Sequence, residues 1–165
     1  MITRIAKLLL LAAVALFYTL VVLNNLTDFD SNYQFVRHVL MMDSTFPGNK
    51  GMWRALTSPF WHLSFYFSII VWEIVSMIVC WWGALVLLRA LRKPAAEFNA
   101  AKRIPVIALT VGSLMWLVAF LTVGAEWFLM WQSHSWNGQE AAFRTFVVVG
   151  MVLLLMLQPD RDEQV

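Results

Sequence analysis

Residues 64–88 read SFYFSIIVWEIVSMIVCWWGALVLL, a run of 25 residues with one charge, Glu73. A helix needs about 20 apolar residues to cross a hydrocarbon core of about 30 Å, so this run is long enough to span a bilayer. Three further stretches meet or approach that length: Ile5–Leu23, Ile104–Met130 and Ala141–Leu157. The chain therefore reads as an all-α membrane protein, a bundle of four transmembrane helices forming one integral membrane domain over residues 1–165. Composition agrees, because 61% hydrophobic residues against 13% charged ones exceeds what a soluble domain carries.

Lysine and arginine set the orientation. Arg4 and Lys7, the connector 89–103 with Arg89, Arg92, Lys93, Lys102 and Arg103, and Arg161 in the tail fall on one side. The long loop 24–63 holds only Arg37, Lys50 and Arg54, offset by Asp28, Asp30 and Asp43. Both termini and the connector are thus expected in the cytoplasm, with the loop outside. The N-terminus begins like a signal peptide, but its apolar run outlasts the roughly 7–15 residues of a cleaved segment, which favours a retained helix.

Within the outer loop, Ser31 followed by Gln34 reads as a capping box. Phe35, Val36, Val39 and Leu40 then recur at helical spacing, giving a short amphipathic helix to about Met42 that lies on the membrane or caps the bundle. Phe46-Pro47-Gly48-Asn49 reads as a turn, and Met52–Leu56 as another short helix. Trp53, Trp61, Trp127, Trp131 and Trp136 gather at the outer boundary, with Trp81 and Trp82 near the inner one, as interfacial belts do.

Charged groups at membrane depth cost about 2.5–3.5 kcal/mol each, which singles out Glu73, Glu126 and Arg144. At 100° per residue, His62, Tyr66, Ile69, Glu73, Ser76, Cys80 and Ala84 share one face of the second span, and Ala108, Gly112, Met115, Ala119, Thr122 and Glu126 one face of the third. Small residues allow close helix approach, so both stripes are expected to face the bundle centre or a second copy of the chain. Arg144 lies about one turn inside the fourth span, where Glu126 or Glu140 can pair with it. Without a basic partner, Glu73 is expected to be protonated.

His38, His62 and His134 all fall on the outer side, and imidazole there could ligate a metal. Their spacing matches no metal motif, and no phosphate loop or nucleophile elbow is present, so no cofactor and no catalytic residue is predicted. The lone Cys80 excludes an internal disulfide. The basic residues flank the spans rather than forming an aromatic-laced patch, which speaks against nucleic acid.

The segments LNNLTDFDSNYQFVRHVLMMDSTFPGN (23–49), MWRALTSPFWH (52–62) and GAEWFLMWQSHSWNGQEAAFR (124–144), with four spans in this order, resemble a bacterial family of predicted small integral membrane proteins of unknown function. The resemblance implies the bacterial inner membrane, which would make loop 24–63 periplasmic, and it supplies no substrate or catalytic residue. It also draws attention to the outer end, where Asn24, Asn25, Asp28, Trp127, Gln132, Trp136 and Asn137, with Glu126 and Arg144, could cap the bundle or line a shallow pocket.

Three functions follow as expectations. The first is a noncatalytic accessory or interaction subunit of a larger membrane complex, or a homo-oligomer. The second is a small proton- or cation-coupled transporter using Glu73 and Glu126. The third is a metal or redox protein using the outer histidines.

Overall fold

The computed structural model describes residues 1–162 and, among them, contains helices and turns but no strand. Six helices follow one another: α1 (Ile2–Thr27), α2 (Phe29–Met41), α3 (Pro59–Ala90), α4 (Ala95–Ala101), α5 (Arg103–Leu114) and α6 (Gln139–Leu157). A π-helical stretch, Met115–Trp127, continues α5 without a break. Four helical segments are long and apolar enough to cross a membrane: α1, α3, α4 to the end of the π stretch, and α6. In lipid the backbone must satisfy its own hydrogen bonds, and a helix does so within each segment.

The spans pack in a ring, α1 on α3, α3 on α5, α5 and its π extension on α6, and α6 back on α1. Successive spans reverse direction, which places both termini at one end, the terminal end, and α2 at the other, the loop end. The interior divides into two apolar clusters. One, nearer the terminal end, is built on Leu11, Tyr18, Leu87, Leu109, Met115 and Met156. The other, under the loop, is built on Val36, Leu40, Met42, Tyr66, Phe128 and Met130.

Lipid offers no hydrophobic drive between helices, so close packing and polar contacts hold them together. At Gly83 an added Cβ would lie 3.2 Å from the Pro105 backbone, which lets α3 and α5 touch main chain to main chain. Three indoles reach across the bundle: Trp72 Nε1 donates to the Val111 carbonyl at 3.0 Å, Trp81 Nε1 to Thr19 Oγ1 at 3.0 Å, and Trp116 Nε1 to Tyr18 Oη at 3.0 Å. Such bonds contribute about 0.6 kcal/mol each on average. Trp81 is thus tied to the middle of the bundle rather than serving only a boundary belt.

Two expectations about local structure are corrected. α2 starts at Phe29 with Asp28 at its N-cap and no side-chain cap, so Ser31 and Gln34 form no capping box. The cause is the tight junction with α1: the Asp28 amide bonds the Asn24 carbonyl at 2.8 Å, leaving one residue between the helices and no loop for Ser31 to cap. Gln34 bonds Asp30 and Arg37 instead. The expected Met52–Leu56 helix is a single 3-10 turn, Met52–Arg54. The Pro47-Gly48 turn is present, with Gly48 at φ 76°, a conformation that glycine adopts without strain.

The stripe on the third span is the other correction. Ala108, Gly112 and Met115 are buried as expected, but Thr122 and Glu126 are exposed while Gly124 and Ala125 are buried. From Met115 the hydrogen bonds close over five residues, as in Phe128 N–H to the Val123 carbonyl at 3.0 Å. Each residue then turns through less than 100°, so counting on the α period carries Glu126 to the wrong face.

Candidate functional site

Glu73 lies in the middle of α3, 2% exposed, between the two apolar clusters. Helical side chains lean toward the N-terminus of their own helix. On antiparallel neighbours Glu73 therefore leans toward the loop end and Asn25 of α1 toward the terminal end, and they meet. Asn25 Nδ2 donates to Glu73 Oε2 at 2.7 Å. Tyr66, 1% exposed, completes the chain by donating its hydroxyl to the Asn25 carbonyl at 3.0 Å and Oδ1 at 3.3 Å. The network needs no cation, and no basic side chain pairs with Glu73 among the described residues.

This geometry gives a direct test. Glu73→Gln keeps an acceptor for Asn25 and is expected to shift stability by less than about 1 kcal/mol. Glu73→Leu strands a buried amide donor and is expected to cost about 1–3 kcal/mol. Thermal melts of the detergent-extracted protein read the difference, and a Leu variant as stable as wild type would remove the network's structural role.

Of the other intramembrane charges, Glu126 is exposed on the π-helical stretch and has no ion-pair partner among the described residues. The expected Glu126–Arg144 pair is not formed, for the reason of period given above. Arg144 instead lies 3.9 Å from Glu140, one turn earlier on α6, with side chains 70% and 84% exposed. Glu73 and Glu126 do not share a face or a hydrogen bond.

At the loop end the predicted cap residues divide. Asn25 belongs to the Glu73 network below the cap, and Asn24 supplies only its carbonyl to Asp28. The cap itself joins the first loop to the connector before α6. Gln132 Oε1 accepts from the Phe46 amide at 3.2 Å and Asn49 Nδ2 at 3.5 Å, and Ser44 Oγ donates to Ser133 Oγ at 2.7 Å. Trp136 stacks on His38 with centroids 4.6 Å apart, and Trp127 meets Trp53 edge to face at 5.8 Å with Arg54 over both rings. Asn137 bonds within its own connector, accepting from the Gln139 amide at 3.0 Å.

The histidines do not converge. His38 Nδ1 contacts Asp43 Oδ2 at 2.7 Å, His62 Nε2 contacts the Leu56 carbonyl at 2.7 Å, and His134 is exposed. No group of three His, Cys, Asp or Glu residues is placed to hold a metal ion among the described residues.

A second polar cluster, at the terminal end, was not read from the sequence. Lys7 Nζ at 2.6 Å and Lys102 Nζ at 2.9 Å donate to the same oxygen, Oδ2 of Asp160, and both also donate to the Gln158 carbonyl. Burial alone would raise the Asp160 carboxyl, but the hydrogen bonds and charges of the two lysines outweigh it and hold the group below the usual carboxylate range. Asn99 clamps the Asp160 backbone from both sides, and Arg4 bonds the Lys93 carbonyl at 2.6 Å and Asp162 at 3.2 Å. The basic residues that mark topology in the sequence are partly consumed here in tying the tail and connector to α1. Nothing in the tail's composition signals that Asp160 folds inward.

Fold, spans and buried polar clusters together define a small four-span integral membrane protein. No curated protein and no solved structure matches the chain. The chain belongs to the family described as "Predicted small integral membrane protein (DUF2165)", which it matches over residues 3–159.

Proposed function

We propose that this protein is a noncatalytic subunit that docks a larger membrane partner through its loop end. The observation that supports it is an aromatic surface beside the cap: Trp53 and Trp127, and Phe46 and Trp131, form edge-to-face pairs that join the first loop to the end of the third span and to the last connector. All four rings are exposed, Trp53 at 77%. Preorganised Trp and Arg side chains are the groups that dominate protein interfaces. In this reading the membrane is the bacterial inner one, both termini are cytoplasmic as the arginine and lysine bias favours, and the aromatic surface faces the periplasm.

Gentle extraction from the host followed by native mass spectrometry tests the proposal. A larger assembly is expected with the wild-type chain and not with the Trp53→Ala, Trp127→Ala double variant, whose melting temperature shows whether it still folds. Recovery of the wild-type chain alone or only as copies of itself would overturn it. A second reading, proton- or cation-coupled transport, draws on the buried Glu73 and its lack of a basic partner among the described residues. It predicts flux in liposomes that Glu73→Gln abolishes.

A further inference from the structure

α1 and α6 are the ring's loosest neighbours. Between them lies an apolar cavity of about 330 Å³, walled by Ala13, Val14 and Phe17 on one side and Val148 and Val149 on the other. Leu10 also lines a second cavity toward the terminal end. Arg144 borders the first cavity, five residues into α6, which is about 7.5 Å below the helix start.

A guanidinium at that depth is costly unless its head reaches an anion at the interface. Among the described residues its only ion-pair partner is Glu140, 3.9 Å away with its side chain 84% exposed. We propose that the groove holds an anionic phospholipid, one acyl chain lying against Ala13, Phe17 and Val148 and the phosphate on Arg144. The apolar walls match the chain. Arg144 donates no hydrogen bond to the described residues, and its exposed donors match a phosphate, which guanidinium binds through paired N–H groups. A zwitterionic lipid brings its own ammonium to compete for the same phosphate, so the site favours a headgroup with net negative charge. Glu140 is the competitor within the chain, and a bound phosphate displaces it. This assignment does not depend on the proposed docking role.

The test uses the full chain, delipidated in detergent and titrated with phosphatidylglycerol or phosphatidylcholine of identical acyl chains, with bound lipid counted by native mass spectrometry. Wild type should prefer phosphatidylglycerol by about tenfold, the range expected of a charge-assisted bond. Arg144→Gln should lose the preference, Glu140→Gln should keep or raise it, and Ala13→Leu with Val148→Leu should lower binding of both lipids by filling the groove. Equal binding of the two lipids by wild type, or an undiminished preference in a folded Arg144→Gln protein, would overturn the proposal. Undiminished binding in the filled-groove variant would overturn the placement of the chain. Disulfide-linked pairs of a Val148→Cys variant in the membrane, with no lipid retained by the wild type, would assign the groove to a second copy and overturn the proposal.

Discussion

Asp160→Ala is expected to destabilise the protein by about 3–5 kcal/mol, the cost of breaking a buried ion pair from one side. One carboxylate oxygen serves two ammonium groups, and the side chains of Asp160, Lys7 and Lys102 are 2%, 9% and 8% exposed. Removing it leaves two buried cations facing each other with the Gln158 carbonyl as their common remaining acceptor. Asp160→Asn keeps the shape and one acceptor but not the charge, so it should fall between the two. The same group makes stability depend on acid. The folded carboxyl lies below the unfolded value of about 3.9, so its contribution is complete above that pH and is lost as pH falls through the lowered folded value. Stability measured from about pH 6 down to about pH 2 should fall more steeply below about pH 4 in wild type than in Asp160→Asn. Matching slopes would mean that the two lysines do not hold the Asp160 carboxyl below its unfolded value.

Gly112→Ala is the second large effect, expected at about 1–3 kcal/mol from overpacking. An added Cβ would stand 2.6 Å from Tyr18 Oη and 3.0 Å from a ring carbon. Tyr18 has no room to retreat: it is fully buried, and its hydroxyl receives the Trp116 indole N–H. Tyr18→Phe alone should cost about 1 kcal/mol by stranding that indole, yet in the Gly112→Ala background it removes the closest clash. The double variant should therefore be more stable than the sum of the single effects requires. Strictly additive melts would show that the tyrosine moves aside and that the glycine is not needed for its contact.

The four spans were legible because twenty apolar residues in lipid have few conformations open to them. Most of the buried face of α3 was legible as well, since an unbroken α-helix keeps its period from His62 to Ala84, although Ile70 and not the expected Ile69 is buried. The third span was misread beyond Met115 because the same count was carried into wider turns, and no residue in MWLVAFLTVGAEW announces them. Glu73 was singled out by the cost of a charge at its depth, but its pairing with Asn25 was not read. Asn25 lies just past the expected end of the first span, among residues that read as loop, and α1 continues to Thr27. Long-range pairings such as Gln132 with the Phe46 amide, or Asp160 with Lys7 and Lys102, connect distant segments of chain that local patterns cannot join.

The π-helical stretch also unsettles the use of residue number as a measure of thickness. Wide turns rise less per residue, so a span containing them takes more residues to cross the same slab of lipid. The third span follows the 12 residues of α5 with 13 in this wider form, while α6 faces the same bilayer with 19 residues in all. The extra residues of the third span thus do not measure extra thickness one for one, and counting letters overstates the depth of bilayer that this span crosses.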